Sequence, residues 1–449
     1  MTLPKEFTEY TSRLFGEELW AKFLDGMKQE PPVSIRLNPF KFDAEKMPLP
    51  AEESGRVEWC AEGRYLKMRP PFTLDPLLHA GAYYVQEAAS MYVADVLRRF
   101  ARMEQPLRVL DLCAAPGGKT TAVRSVLPKG SLLFANEPMR QRANILAENV
   151  QKFGHPDVVV TNSYAIDYQR SGLQFDVIVA DVPCSGEGMF RKDEGAVREW
   201  SVANVKKCAA LQREIIADIM PCLREGGLLI YSTCTFNAHE DEENVDFILE
   251  EWGMERLDMR HFVPGETPTE GLFMAALRKP GEWQPMMTTQ KDKKKAKKQK
   301  QGKLRQPVVA GAKTIAAWLA EGDDFDIVML GGRINAVKKA WRDAFDVAAE
   351  KLRVMHAGVE IGERKGNDII PSECLALSTS ISGSAFPIVE VDKDTALSYL
   401  RREPILLPAD TERGFVLAAY KGLPLGFVKN LGNRTNNMFP QEWRIRKTI

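Results

Sequence analysis

Between residues 106 and 234, short runs of strand-forming residues alternate with longer amphipathic stretches, and no other feature restricts the possible folds of this chain as much. PLRVLDL (106 to 112) runs into a glycine-rich turn and a helix beginning near Lys119, and SLLFANE (131 to 137) precedes the helical MRQRANILAENVQKFG. FDVIVADVP (175 to 183) and GLLIYSTC (227 to 234) are nearly continuous apolar strands. Between these two, ANVKKCAALQREIIADIMPCL places Leu211, Ile215, Ile216, Ile219 and Leu223 on one predicted helical face. Strands apolar on both faces and joined by helix-length crossovers build a parallel sheet with helices on either side. A doubly wound, Rossmann-like α/β core is therefore expected, with ligands bound in the crevice beyond the carboxyl ends of its strands.

The first of those ends carries DLCAAPGGKT (111 to 120). Its glycines let a ligand approach the backbone, and the helix that follows opens with free N–H groups. An acid closing the second strand, here Glu137, is placed for ribose hydroxyls. Counting excludes a triphosphate loop, because Gly118-Lys119-Thr120 would need glycine at position 113, which is Cys113. The dinucleotide fingerprint G-x-G-x-x-G is absent as well. An S-adenosylmethionine site and a tight structural turn remain open.

Seven scattered cysteines without a Cys-x-x-Cys pair fit free thiols in a reducing cytoplasm. Cys60, Cys208, Cys222 and Cys374 read as small buried hydrophobes. Cys184 in DVPCSGEG and Cys234 in STCTF instead follow two strands separated by one helical crossover, so adjacent strands would bring both to the cofactor crevice. Two thiols beside a methyl donor suit methylation at carbon 5 of a pyrimidine. A thiolate adds at carbon 6, the ring becomes enamine-like and accepts the methyl group, and a second group assists loss of the carbon 5 proton and release of the sulfur. Asp181, three residues before Cys184, is placed to hydrogen-bond the base edge. Lys119 is the nearest cation able to lower a thiol pKa from its usual value of about 8.5.

DLCAAPGGKT, DVPCSGEGMFRKD and STCTF together resemble the Sun/RsmF type of RNA (cytosine-5) methyltransferase. Further matches are SIRLN (34 to 38), YYVQEAAS (83 to 90), ANEPMRQRANIL (135 to 146) and EEN (242 to 244). The resemblance implies that Cys234 is the nucleophile and that Cys184 assists product release. It implies S-adenosylmethionine contacts from Cys113, Ala114, Ala115, Pro116, Gly117, Gly118 and Lys119, from Glu137 and Arg142, and from Asp181. Family members commonly contact the adenine through an acid after the third strand, where VVVTNSYAIDY (158 to 168) offers Ser163 and Tyr164. IIPSECLAL (369 to 377) and GLPLGFVKNLGNRTNNMFPQEWRIR (422 to 446) resemble the PUA-like tail of the bacterial ribosomal-RNA members. That tail makes 16S ribosomal RNA, or the small ribosomal subunit, the expected substrate; transfer RNA is the alternative, and a noncatalytic RNA-binding ribosome-assembly factor is the rival.

The sharpest change of composition is KDKKKAKKQK (291 to 300), with seven lysines in ten residues, which reads as a linker. The expected segments are an N-terminal accessory RNA-binding domain (1–75), the methyltransferase core (76–283), the lysine-rich linker (284–312) and a β-rich, PUA-like RNA-binding region (313–449). Lys plus Arg and Asp plus Glu both number 61, so attraction to RNA must come from local clusters. In the tail, Lys429, Arg434, Arg444, Arg446 and Lys447 occur with Phe427, Phe439 and Trp443, a mix of cations and aromatic faces that suits RNA. Glu240, Asp241, Glu242 and Glu243 read as complements to a helix dipole, and His79, His155, His261 and His356 show no ligand spacing, so no metal is expected. Acids where a signal peptide would be apolar, and no run of 18 apolar residues, predict a cytoplasmic protein without a membrane span. A monomer is expected.

Overall fold

The computed structural model describes residues 3–285, 309–366 and 368–446, so the lysine run 291–300 and Lys447 lie outside the described residues. Helix α1 (Lys5–Gly26), broken at Gly16, leads into a four-stranded antiparallel sheet of β1 (Val33–Leu37), β2 (Glu53–Arg56), β3 (Gly63–Leu66) and β4 (Tyr83–Val85) in the order β2-β3-β1-β4. The short α2 (Pro76–His79) precedes β4, and α3 (Tyr92–Phe100) follows it.

The central sheet comprises β5 (Arg108–Asp111), β6 (Leu132–Asn136), β7 (Val158–Thr161), β8 (Phe175–Asp181), β9 (Leu223–Thr233), β10 (Glu255–Phe262) and β11 (Leu272–Arg278). Strands β5 to β9 are mutually parallel, while β10 and β11 add an antiparallel margin. The order β10-β11-β9-β8-β5-β6-β7 runs outward from β5 in both directions, so the carboxyl end of β5 is the topological switch point. The crossovers carry α4 (Gly118–Val126), α5 (Arg140–Phe153), α6 (Ala165–Ser171), α7 (Glu194–Glu199) and α8 (Val202–Ile219), and α9 (Glu242–Trp252) follows β9. Alternate residues of each strand face opposite helical layers: Val109, Leu133, Val160 and Val179 bury against one set, and Leu110, Phe134, Val159 and Ile178 against the other. Covering both faces in this way requires the near-continuous apolar runs read in the sequence.

On α8 the buried stripe is Val205, Ala209, Gln212, Ile216 and Ile219. Leu211 is 40% exposed, so the expected face is rotated and a polar residue, Gln212, occupies its middle. Beyond the linker, β12 (Phe325–Leu330), β13 (Arg333–Lys338), β15 (Val359–Lys365) and β16 (Asp368–Pro371) form one antiparallel sheet, and β17 (Ile388–Glu390), β18 (Gly414–Tyr420), β19 (Leu423–Asn430) and β20 (Thr435–Asn437) another. The remaining strand, β14 (Val354–Ala357), pairs antiparallel with β7 and completes the central sheet as its eighth member. The four segments read from the sequence therefore stay a proposed division of the chain, with β14 of the last segment hydrogen-bonded to β7 of the second.

The β18–β19 hairpin of the tail is tight, and not all of the tail's aromatic residues face outward. Leu423 pairs directly with Tyr420, so the hairpin turns at Lys421-Gly422, both at positive φ, and Pro424 already lies in a strand. Phe427 and Phe439 are 1% exposed and belong to the core, which leaves Trp443, partly buried with the Lys152 ammonium 5.0 Å from its ring centroid, as the aromatic face of that group nearest solvent. Among the described residues no helix is long and apolar enough to cross a membrane.

Candidate active site

Loop 112–117 leaves β5 at the switch point and is tied to both neighbouring strands, through the Leu112 N–H on the Val179 carbonyl (2.8 Å) and the Ala114 N–H on the Asn136 carbonyl (2.8 Å). Gly117 sits at φ 113°, a conformation that L side chains rarely adopt, and it turns the chain into α4. Helix α5 clamps the loop from outside: Arg142 donates to the Ala115 carbonyl (2.9 Å) and Asn149 to that of Pro116 (2.8 Å). Arg142 thus holds the cradle's backbone as well as lying 3.4 Å from Glu137. Below the loop, Thr120 donates to buried Asp111 (2.7 Å), whose carboxyl is pushed up to about 7 by burial, with Asp181 adding to the shift. Burial, and then Asp181, Asp111 and Glu137, likewise push the Cys113 thiol up.

Glu137 is 1% exposed, and its Oε1 accepts from the Met139 N–H (2.9 Å) while Oε2 has no hydrogen-bond donor. A carboxylate oxygen buried at the end of the second core strand, with a 3.4 Å ion pair to Arg142 and no hydrogen bond, fits a ribose diol. Ser163 is buried: its hydroxyl accepts from the Arg353 N–H (3.2 Å) and its own N–H donates to Asn136 (3.1 Å). Tyr164 beside it is 67% exposed, and Met139 61%.

Strands β8 and β9 run parallel with Asp181 opposite Ser232, which carries the turns after them to the same place. Asp181 accepts from the Ser232 hydroxyl (2.7 Å) and pairs with the Lys119 ammonium (2.9 Å). Burial opposes the charge on Lys119, but Asp181, then Cys234 and Asp111, outweigh it and the ammonium's pKa is raised. The Cys184 and Cys234 sulfurs lie 2.9 Å apart, both free thiols and partly exposed, and the Cys234 N–H also points at Cys184 Sγ (3.4 Å). The hydrogen bond to Cys234, then burial, then the charge of Cys234 and last that of Glu240 hold the Cys184 thiol well above its ordinary value. Cys60, Cys222 and Cys374 are buried, as expected of packing residues, whereas Cys208 is only partly buried.

The acids after Cys234 divide. Glu242 and Glu243 occupy the first turn of α9, whereas Glu240 and Asp241 are fully buried ahead of it. Asp241 accepts from Thr233 and Thr235, on either side of Cys234. Asp241, Glu242 and His261 bring possible ligand atoms within 4.8 Å of one another, a convergence that sequence spacing does not reveal. Within it, His261 and Glu242 bond at 2.8 Å. Glu187, Gln212 and Asn237 also surround the pair and were not legible as site residues; the polar Gln212 on an otherwise apolar helical face was the one available signal.

A doubly wound sheet with a glycine loop at its switch point and a buried acid after the next strand is the arrangement of an S-adenosylmethionine-dependent methyltransferase, the class to which this chain belongs. Residues 101–278 match the family described as 16S rRNA methyltransferase RsmB/F, residues 3–88 the N-terminal domain of 16S rRNA methyltransferase RsmF, and residues 386–445 the methyltransferase RsmF PUA domain. Ribosomal RNA small subunit methyltransferase F of Enterobacter sp. (strain 638) is 32% identical over 424 residues, covering 86% of this chain and 83% of that protein. Its namesake in Cronobacter sakazakii is 29% identical over 443 residues, covering 91% and 89%. NSun6 from Pyrococcus horikoshii, solved with the S-adenosylmethionine analogue SFG, shares the fold with TM-score 0.52 at 22% identity, over 62% of this chain and 99% of its own. The chain belongs to the RsmB/F family of 16S rRNA methyltransferases.

Proposed function

We propose that this protein methylates carbon 5 of a specific cytosine in 16S ribosomal RNA, acting as a cytoplasmic monomer on the RNA or the small subunit that contains it. The observation that carries the reading is the pair of thiols 2.9 Å apart at the ends of adjacent parallel strands, beside a lysine–carboxylate pair. S-adenosylmethionine, when bound, supplies the methyl group. The Cys113–Lys119 loop and Glu137 hold it, with Arg142 fixing the loop. The Cys234 sulfur adds to carbon 6 of the base as its thiol proton passes to ring nitrogen N3, with the Lys119 cation close enough to feel the charge on that sulfur. Asp181 hydrogen-bonds the base edge and steadies the protonated ring. After methylation the carbon 5 proton passes to water, its electron pair restores the ring double bond, and the Cys234 sulfur leaves as a thiolate that accepts a hydrogen bond from the Cys184 thiol. A base inside a duplex must first be flipped out at a cost of a few kcal/mol, which assigns RNA gripping to segments 1–75 and 313–449.

The test is transfer of a radiolabelled methyl group by the protein and by Cys234→Ala to separated ribosomal and transfer RNA, followed by nucleoside analysis. Label is expected as 5-methylcytosine in 16S RNA with the unaltered protein alone. Label surviving Cys234→Ala, or confined to transfer RNA, would overturn the assignment.

A further inference from the structure

With two sulfurs in contact, something other than proximity must decide which attacks and which assists. The two thiol-bearing loops exchange buried carboxylates. Glu187, on the Cys184 side, reaches into the other loop and accepts from the Phe236 N–H (2.7 Å) and the Asn237 amide (3.0 Å). Glu240, on the Cys234 side, reaches back: its Oε2 accepts from the Ser185 N–H (3.0 Å) and the Gln212 amide (2.8 Å), and its Oε1 from Asn237 (2.9 Å). The same Gln212 nitrogen donates to the Pro183 carbonyl (2.9 Å). The residues immediately before and after Cys184 are therefore held by groups that converge on Glu240.

Glu240 is completely buried, and the groups that bond its carboxylate are all neutral donors. Burying a charge without a counter-ion is costly, and apolar residues of similar volume generally serve stability better. Its hydrogen bonds supply a function: Glu240 bonds the N–H of Ser185, the residue after Cys184, whereas the Lys119 ammonium pairs with Asp181 and feels the charge of Cys234. We propose that Glu240 is a positioning residue that divides the labour between the thiols, fixing Cys184 through the Ser185 amide and setting a negative charge beside that sulfur, so that Cys184 stays a thiol and serves release while Cys234 attacks. This rests on the cysteine roles proposed above. The raised pKa of Cys184, to which the Glu240 charge contributes after the Cys234 hydrogen bond, burial and the Cys234 charge, agrees with that assignment.

The experiment uses full-length protein with 16S RNA, reading covalent protein–RNA complex by denaturing electrophoresis and 5-methylcytosine by nucleoside analysis. Cys184→Ala and Glu240→Ala are both expected to accumulate complex and to slow turnover, Glu240→Ala on the order of 10²-fold for a misplaced sulfur. The double variant should stall no more than Cys184→Ala alone, since residues acting through one another are not additive. Glu240→Gln should recover part of the turnover, because its amide oxygen still accepts from Ser185. Should Glu240→Ala fail to bind S-adenosylmethionine, and so to fold, Glu240→Gln decides alone, with more trapped complex than the unaltered protein expected. Parallel loss of complex and turnover in a folded Glu240 variant, additivity with Cys184→Ala, or no extra complex in Glu240→Gln would each overturn the proposal. Failure of Cys184→Ala itself to accumulate complex would overturn the cysteine roles beneath it.

Discussion

Replacing Glu187 with alanine should loosen the Cys234 loop by a calculable amount. The side chain is 1% exposed, and it accepts from Trp200 (2.9 Å), the Phe236 N–H (2.7 Å) and Asn237 (3.0 Å). Burial raises its carboxyl from 4.5 to about 7, against the pull of those donors. Three buried donors left without an acceptor cost about 1–3 kcal/mol each. At pH 8, removing the buried charge returns about 3 kcal/mol, the equivalent of a shift of two to three pH units. A net loss of about 3 kcal/mol remains, or roughly two decades in local opening. Hydrogen exchange at the Phe236 amide reads this directly, and unchanged protection would refute the reasoning. The pH dependence has a definite sign. A carboxyl whose folded pKa is raised contributes stability that is fully present below about 4.5 and is lost as pH rises through about 7. Glu187→Ala should flatten that part of the stability profile, and a slope equal to the parent's would count against the burial argument.

Glu137→Gln should weaken S-adenosylmethionine binding about tenfold by titration calorimetry, the worth of one or two hydrogen bonds to the ribose, with little change in thermal unfolding of the cofactor-free protein; unaltered affinity would remove Glu137 from the site. Gly426 lies at φ 149°, and a Cβ there would collide with the Tyr399 hydroxyl and the Glu373 carboxylate. Gly426→Ala should therefore destabilise the β18–β19 region by at least about 2 kcal/mol, seen as an early phase in thermal unfolding, and a single unshifted transition would show that the tail yields more easily than its packing indicates.

The strands of the core and the two cysteines at their ends were legible because parallel strands buried on both faces leave unbroken apolar runs, and because a cysteine directly after such a run has nowhere to go but the crevice. The glycine loop and Glu137 followed from the same geometry. Glu187 and Glu240 were not legible: acids in polar stretches such as SGEG and HEDEEN look solvated, and only the folding-back of both loops buries them. The lining role of Gln212 depended on a rotation of α8 that put Leu211 outside, a shift too small for periodicity to register. Phe427 and Phe439, offered by composition as aromatic faces, are taken up by the tail's own core. Val354–Ala357 is too short for its pattern to reveal its partner, since Arg353 beside it meets Ser163 across 190 residues of sequence.

That last strand bears on how the protein comes into being. As the chain emerges from its N-terminus, β7 is made early and presents a bare edge, VVVT, the kind of unpaired margin that recruits strands from other molecules. Only when residues 354–357 have been synthesised does β14 cover it, and the Gly358 N–H adds a bond to the Val158 carbonyl (3.0 Å). The catalytic sheet thus stays vulnerable to self-association until the C-terminal part has been made, and cutting the chain at Gly311 to isolate the enzyme would make that vulnerability permanent.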